Sequence, residues 1–525
     1  MKTITHLATA IAAAGLASAV MTGGANAADK CSALKSFSVP NHSISISKAE
    51  MVPAGPAPRP NIPGAPPGAD LPAHCLVEGM IDQRTGAEGR SYGIGFSVAL
   101  PADWNGRFLF QGGGGRDGIL RDPLGPIAAG DKPALSRGFA VASTDSGHQS
   151  KQVFDSFFDA DQQSELDFQY ASIGTVTDIA KQIIDTYYGK PAAHSYFTGC
   201  SMGGREAMIA AQRYPLKFDG VISGAPAMRV GWSGIGDKWV STMLNTVAPK
   251  GPDGKPEVTR IFSPAEKKLI INGILKACDA KDGLKDGMIF NVAQCNFDPQ
   301  MLVCKGGKTD SCLTQDQAEA IKRGMAGPKD SKGNQVYPGF YYDTGLAAQR
   351  PIPGLLNPGP APVGGTNYLT KMDVDAEVAA ADANPANRIG DTNRWVLLNS
   401  FFQKGGKLIF FHGVSDPWFS AQDTVGYYKR MAAANGGMDK VRADDSRLFL
   451  VPGMGHCASG SATLDQFDLL SKVVDWVEKG KAPDSVTATG HDFPGRSRPL
   501  CAYPQHAQYS GKGDSEKASS FTCVN

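Results

Sequence analysis

The chain has 525 residues, enough to bury one large core or two. Its hydrophobic content of 42% and charged content of 20% are those of an ordinary globular protein. A net charge of +1, with no basic run, excludes the electrostatic footprint of a nucleic-acid binder.

The amino terminus reads as a secretory leader. Lys2 supplies the positive start, Leu7–Val20 is apolar and alanine-rich, and Ala25-Asn26-Ala27 offers an A-x-A site with cleavage before Ala28. The apolar run is too short and too small-residued for a membrane anchor, and no later stretch is long and apolar enough to span a bilayer. Residues 1–27 are therefore expected to be a signal peptide, and the mature protein a soluble one, periplasmic or secreted, with no membrane partner. The ten cysteines are Cys31, Cys75, Cys200, Cys278, Cys295, Cys304, Cys312, Cys457, Cys501 and Cys523, and they fit an oxidising compartment and five disulfides. The cysteine count does not fix their connectivity, and the lack of any C-x-x-C pair speaks against zinc.

Residues 28 to about 75 read as an irregular opening segment, because 53–72 is dense in Pro, Gly and Ala; Cys31 and Cys75 would tie it to the surface. Strands are expected from about residue 76. Tyr92–Leu100 alternates in part and ends at Pro101, and Arg107–Gln111 is a buried-type strand that runs into Gly112-Gly113-Gly114-Gly115. Glycines at that place let backbone N–H groups crowd around an anion; the competing reading is a flexible turn. A strand is expected at Gly138–Ser143. A helix follows over Ser172–Tyr188, with Ile173, Val176, Ile179, Ile183 and Tyr187 on one face. Ser195–Thr198 reads as the end of a strand, Arg205–Arg213 as a helix stopped near Pro215, and Phe218–Ser223 as another strand. Strand and helix alternate, which argues for a mostly parallel α/β sheet.

After about residue 228 the rhythm breaks. Residues 229–395 hold four cysteines, many Pro and Gly residues and few clear strands. They read as a lid domain inserted into an α/β domain whose first part is 28–228 and whose second part is 396–525. The rhythm resumes at Lys407–Phe411 and Arg447–Val451, and a last amphipathic helix is expected over Leu464–Glu478, ending at Gly480.

The chemistry gathers at three strand ends. Gly199-Cys200-Ser201-Met202-Gly203 fits G-x-S-x-G, which holds a serine on a sharp strand-to-helix turn. A serine hydroxyl needs a base to take its proton, and the base needs an orienting carboxylate. Asp416 follows the strand at 407–411, and His456 follows the strand at 447–451, in the chain order Ser, acid, His. His412 reads as a group behind the acid or as a core histidine. His491 and His506 follow no clear strand. Cys200 precedes Ser201 and Cys457 follows His456, so a Cys200–Cys457 bridge would staple nucleophile to base within disulfide reach.

On these residues the chain resembles the tannase and feruloyl esterase family, which is marked by Cys-Ser, then Asp, then His-Cys. It is similar in particular to the bacterial mono(2-hydroxyethyl) terephthalate hydrolase branch. The stretches that carry the resemblance are FTGCSMGGREAM, CDAKDGLKDGMI, KLIFFHGVSD, RLFLVPGMGHC and RPLCAYPQ; it is weak over 335–390. The resemblance implies an α/β-hydrolase fold with a large inserted lid, with Ser201 as nucleophile, Asp416 as acid and His456 as base. It also implies an oxyanion hole made by the backbone N–H groups of Gly115 and Met202. Four further bridges are implied in the same way: Cys31 with Cys75, Cys278 with Cys295, Cys304 with Cys312, and Cys501 with Cys523.

Asp279, Asp282 and Asp286 crowd one short loop, which reads as a solvated turn or a hard-cation site but not as an EF-hand. The resemblance implies a structural calcium there, held also by the carbonyls of Leu284 and Met288. No organic cofactor is expected. Trp418, just after Asp416, would line the cleft or pack in the core, and Phe419 matches a family position that faces substrate. The expected activity is a serine carboxylesterase acting on esters of small aromatic acids: hydroxycinnamates, gallates or terephthalate monoesters. Arg350, Arg388 and Arg394 are the local candidates for a lid arginine that grips a free carboxylate. The alternatives are a non-catalytic binding protein on the same scaffold and a serine peptidase.

Overall fold

The apolar runs around Phe108, Phe197, Val221, Phe410 and Phe449 lie side by side in the middle of one nine-stranded sheet. The computed structural model describes residues 27–57, 68–349, 351–357 and 365–525. The leader up to residue 26, and Arg350, lie outside the described residues. In chain order the strands are β1 (Ile44–Val52), β2 (His74–Thr85), β3 (Ser91–Pro101), β4 (Arg107–Gln111), β5 (Ala140–Thr144), β6 (His194–Cys200), β7 (Gly220–Gly224), β8 (Lys407–Gly413) and β9 (Ser446–Val451). Across the sheet they run β1-β2-β3-β5-β4-β6-β7-β8-β9. Pairing is antiparallel from β1 to β5 and parallel from β5 to β9.

The principal helices are α1 (Ser172–Tyr188), α2 (Met202–Arg213), α3 (Val230–Asn245), α4 (Pro264–Cys278), α5 (Gln315–Met325), α6 (Val374–Ala383), α7 (Ala421–Ala434) and α8 (Leu469–Lys479). Successive strand residues point to opposite faces, and each face has its own helices. Phe108, Phe110, Phe197 and Phe410 meet α1, α2 and α7 through Ile179, Ile183, Met208, Tyr427 and Tyr428. Leu109, Tyr196, Ile409 and Phe449 meet α8 through Leu470, Val473 and Trp476. Helices on both faces of a parallel sheet, with a serine on the turn after β6, make the α/β-hydrolase fold.

The structure corrects two expectations. The opening segment is not irregular throughout: ISISKAEMV forms β1, which alternates along its length and pairs with β2 from Ile44↔Ile81 to Val52↔His74. Its alternation was obscured by the Pro-rich stretch that follows. The last helix starts at Leu469, not Leu464, because Gln466 pairs in extended form with Thr489 and the Asp468 side chain caps the Ser471 N–H.

Residues between β7 and β8 add no strand to the main sheet. They carry α3 to α6 and a separate apolar core in which Trp232, Val240, Ile270, Ile274, Ile321 and Tyr337 pack together.

Five bridges staple the chain. Cys200–Cys457 is the one expected from the flanks of the serine and the histidine. The other four join Cys31 to Cys75, Cys278 to Cys295, Cys304 to Cys312, and Cys501 to Cys523, the pairing that the family resemblance implies. Cys278–Cys295 and Cys304–Cys312 lie in the insertion. Cys501–Cys523 ties two short strands near the carboxyl terminus, Arg498–Cys501 and Phe521–Val524. No free cysteine remains among the described residues. Among those residues no helix is long and apolar enough to cross a membrane.

Candidate active site

Ser201 is the point where β6 turns into α2. Its backbone sits at φ 65° and ψ −123°, a conformation a side chain rarely adopts. The turn is held from two sides: Ser201 N–H donates to the Gly224 carbonyl at 3.0 Å, and Ala227 N–H donates to the Ser201 carbonyl at 3.0 Å. Glycines make the turn possible. A Cβ at Gly204 would strike the Gly224 carbonyl, and one at Gly203 would lie 2.7 Å from the Gly113 carbonyl.

Asp416 and His456 come from the loops after β8 and β9. His456 Nδ1 lies 2.7 Å from Asp416 Oδ2. The other carboxylate oxygen accepts the N–H groups of Trp418 at 2.9 Å and Phe419 at 3.0 Å. His412 stands behind the acid, with Nε2 3.3 Å from Asp416 Oδ2 and 2.9 Å from the Phe419 carbonyl, and Nδ1 2.8 Å from Thr424 Oγ1. Burial alone would raise the Asp416 pKa. The two histidines and their hydrogen bonds outweigh it and hold the carboxyl well below the usual range. Asp416 is therefore ionised, and it fixes the ring of His456. His456 Nε2 is buried and has no hydrogen-bond partner among the described residues. No hydrogen bond joins it to Ser201 Oγ, a contact that commonly tightens only with substrate bound. The Cys200–Cys457 bridge, 6.0 Å between Cα atoms, ties the neighbours of the two residues together.

Trp418 and Phe419 both pack on the imidazole, with ring centroids 4.7 and 5.3 Å from that of His456, and both line the cavity above it. Trp418 thus does not belong to the sheet's core. The glycine loop after β4 spends its N–H groups unevenly. Gly112 donates to the Thr198 carbonyl at 2.9 Å, Gly113 to Glu206 Oε2 at 2.9 Å, and Gly114 to Asp117 Oδ1 at 2.9 Å. Gly115, at φ +68°, has an N–H with no acceptor among the described residues, as does Met202 in the first turn of α2. Gly115, Ser201 and Met202 face one cavity of about 1170 Å³.

The roof of that cavity comes from the insertion, with Val230, Ser233, Asp237 and Ser241 of α3 and Asn367–Leu369 among its lining. Among the described residues, every cationic side chain on the wall is already engaged. Arg116 pairs with Asp159, Lys238 pairs with Glu377, and the buried Arg205 donates to Gln169 and, at 3.1 Å, to the Phe168 carbonyl. Neither Arg388 nor Arg394 lines the cavity; Arg394 pairs with Asp391 at 2.8 Å. Asp237 is the reverse case. Its carboxylate has no hydrogen bond or ion pair among the described residues, and burial pushes its pKa up to about 7. Sequence reasoning missed Asp237, since one Asp inside SGIGDKW reads as a polar helix position. It also missed Glu206 and Asp117, whose place under the glycine loop depends on α2 packing against that loop.

The acidic loop lies away from the cavity wall. Asp279 accepts the N–H groups of Asp286 and Gly287 at 3.3 and 3.1 Å, and Asp282 those of Leu284 and Phe290 at 3.3 and 2.9 Å. Burial raises both carboxyls, Asp282 to about 7, and neither forms an ion pair among the described residues. Asp286 is drawn instead toward Arg496 and Arg498. The Cys278–Cys295 bridge anchors the start of this loop, one residue before Asp279. No three Asp, Glu, His or Cys side chains gather as a ready-made metal cluster among the described residues. The carbonyls of Leu284 and Met288 accept no hydrogen bond there. Two buried carboxylates without an ion pair and two open carbonyls in the same short loop are hard oxygen donors, the kind calcium takes.

Comparison with known proteins gives a consistent picture. The family profile described as Tannase and feruloyl esterase matches residues 75–393 and 386–524. The mono(2-hydroxyethyl) terephthalate hydrolase of Piscinibacter sakaiensis is 38% identical, over 88% of this chain and 86% of its own length. The feruloyl esterase B of Aspergillus niger is 29% identical, over 81% of this chain and 82% of its own. Among solved structures, that of feruloyl esterase B from Aspergillus oryzae superposes with a TM-score of 0.75 at 25% identity, covering 95% of this chain and 100% of that one.

Proposed function

The chain belongs to the tannase and feruloyl esterase family and is a carboxylic ester hydrolase, and from that premise we propose that it is a serine esterase of small aromatic acids. The observation that supports this most is the ionised Asp416 on His456, whose Nε2 is free, together with the strained turn of Ser201 on the wall of a large cavity. In this reading Ser201 Oγ attacks the ester carbonyl carbon and His456 Nε2 takes its proton. The N–H groups of Gly115 and Met202 receive the negative charge that develops on the carbonyl oxygen. Collapse breaks the bond to the alcohol, which leaves with the proton from His456. A water gives its proton to His456 and its oxygen to the acyl carbon; the bond from that carbon to Ser201 Oγ then breaks, Oγ takes the proton back from His456, and the free acid leaves.

The cavity wall bears on substrate choice. With Arg116, Lys238 and Arg205 engaged and Asp237 unpaired, the acyl pocket favours a neutral ring bearing hydroxyl groups over one bearing a second carboxylate. Hydroxycinnamate and gallate esters are thus the first candidates, ahead of the terephthalate monoester named for the Piscinibacter sakaiensis relative. Trp418 and Phe419 would stack along the ring and shield His456 from water. Calcium at Asp279, Asp282, Asp286 and the carbonyls of Leu284 and Met288 would supply charge compensation that stiffens the loop beside Arg496 and Arg498. The leader expected at residues 1–27, together with the five bridges, supports a periplasmic or secreted protein.

The test is hydrolysis of methyl gallate, methyl ferulate, a terephthalate monoester and p-nitrophenyl acetate, with Ser201→Ala as control. Turnover of an aromatic ester that vanishes in the alanine variant is the expected result. Activity that survives Ser201→Ala would overturn the serine mechanism.

A further inference from the structure

Beneath the glycine loop lies a pair of acids that the hydrolytic steps do not use. Glu206, on α2, and Asp117, just past Gly115, are 1% and 3% exposed. Each accepts one N–H of the loop: Glu206 Oε2 that of Gly113 and Asp117 Oδ1 that of Gly114, both at 2.9 Å. Their remaining oxygens converge on Ser146 Oγ, which is hydrogen-bonded to Asp117 Oδ2 and lies 3.2 Å from Glu206 Oε1. One hydroxyl proton does not satisfy both, and two neighbouring carboxylates in a dry site do not both ionise. Burial, and then Asp117, push the Glu206 carboxyl well above its ordinary range. The loop is made of glycine to admit this pair: a Cβ at Gly112 would lie 3.0 Å from Glu206 Oε2, and one at Gly113 would lie 2.6 Å from Asp117 Oδ2.

The surroundings bear on the charge of the pair. Arg205 on α2 is the cation that offsets it, and burial lowers its pKa to about 10. Arg116, next to Asp117, pairs with Asp159, and Glu165 faces Arg205 from across the cavity wall. On the loop after β5, Asp145 adds a further acid facing Asp117, and His148 stays neutral near neutral pH because burial lowers it to about 4. Arg205, although close, also holds Gln169 and the Phe168 carbonyl, so it does not replace the proton between the two acids.

We propose that Glu206 and Asp117 share one proton and act as a positioning clamp for the oxyanion hole: by engaging the N–H groups of Gly113 and Gly114 they leave the N–H of Gly115 free and aimed into the cavity. The proposal rests on Gly115 serving as an oxyanion donor. Loss of the shared proton as pH rises sets two buried charges against each other. The loop shifts, and the transition state loses a donor while ground-state binding is little changed.

The experiment compares wild type, Glu206→Gln and Glu206→Ala on p-nitrophenyl acetate and methyl ferulate. It records kcat and KM from pH 6 to 10, corrected for uncatalysed hydrolysis, with thermal melting of each variant and labelling of Ser201 by a fluorophosphonate. Glutamine keeps an acceptor for Gly113 and a fixed N–H for Asp117. Glu206→Gln is therefore expected to keep kcat within about threefold at pH 7 and to lack the alkaline fall expected of wild type. Glu206→Ala is expected to lose about 10²-fold in kcat and in labelling rate with KM little changed, the size of one oxyanion donor. An alkaline fall that persists unchanged in Glu206→Gln would overturn the proposal, as would a Glu206→Ala variant whose activity falls only in step with its folded fraction. Activity in Ser201→Ala would instead sink the serine mechanism and leave the clamp without an object, so the two failures are told apart.

Discussion

The floor and the roof of the cavity are built on different principles. The floor rests on strand ends: Ser201 after β6 and Gly115 past β4 line it, and Asp416 after β8 and His456 after β9 are buried against Trp418 and Phe419, with β4, β6, β7, β8 and β9 hydrogen-bonded in sequence. The roof is made of helices and loops with a core of their own, and they supply much of the cavity wall, Asp237 included. Bond-breaking chemistry needs atoms fixed to fractions of an ångström, and a parallel sheet buried on both faces supplies that. Recognition needs only a surface of suitable shape and polarity, which many sequences provide. The floor can therefore stay the same while the roof is rebuilt.

The largest effect should come from breaking the floor alone. Ser201→Ala is expected to lower kcat by at least about 10⁴-fold, with melting temperature and binding of the product acid unchanged, as read by calorimetry. If product binding disappeared with activity, the two regions would not be separable. Unlinking the floor is the next step down. Cys200→Ala with Cys457→Ala should lower kcat by about 10–100-fold, since misplacing reacting groups by about 1 Å costs that much. Full activity in a destabilised double variant would reduce the bridge to a general staple.

Breaking the roof alone should give a smaller and more selective change. Asp237→Asn is expected to raise KM for hydroxylated aromatic esters by about tenfold, roughly one hydrogen bond to a charged group, and to leave p-nitrophenyl acetate untouched. The wild-type protein carries a matching pH signature. Asp237 is neutral below about pH 7 and charged above it. The ratio of kcat/KM for a carboxylate-bearing monoester to that for a neutral methyl ester should thus rise as pH falls through about 7. Titration of His456 cancels in that ratio, and Asp237→Asn should flatten it. The smallest effect is expected from removing the calcium proposed for the acidic loop. A chelator should lower the melting temperature by about 5 °C, reversed by added calcium, with initial kcat preserved. An unchanged melting curve would count against a bound ion.

What the sequence conveys follows the same division. Ser201, Asp416 and His456 stand out because each directly follows an apolar run that reads as a strand, and cysteines adjoin two of them. The structure brings His456 and Asp416 within hydrogen-bond distance and joins Cys200 to Cys457. The partners of Cys278, Cys295, Cys304, Cys312, Cys501 and Cys523 were not legible from their positions alone, because none of them adjoins Ser201 or His456; only the family resemblance and then the fold pair them. β1 was hidden because its partner β2 lies beyond a Pro-rich stretch, so local composition outweighed the alternation in ISISKAEMV. Glu206 was hidden because an acid in a helix reads as a solvent-facing position. Only the packing of α2 against the glycine loop shows that it is buried. Asp237 was hidden for a related reason, since what distinguishes it is the absence of a partner.

The Cys200–Cys457 bridge also sets the order in which the protein is completed. Its two ends are 257 residues apart, whereas Cys304–Cys312, Cys278–Cys295 and Cys31–Cys75 close over 8, 17 and 44. On the proposed export of the chain from its amino terminus, those short loops lock while most of the second half is still being made. Cys200 must wait, with its serine already on the turn, until the whole insertion and β8 and β9 have followed. In the proposed mechanism, a chain interrupted before β9 therefore carries a nucleophile with no base.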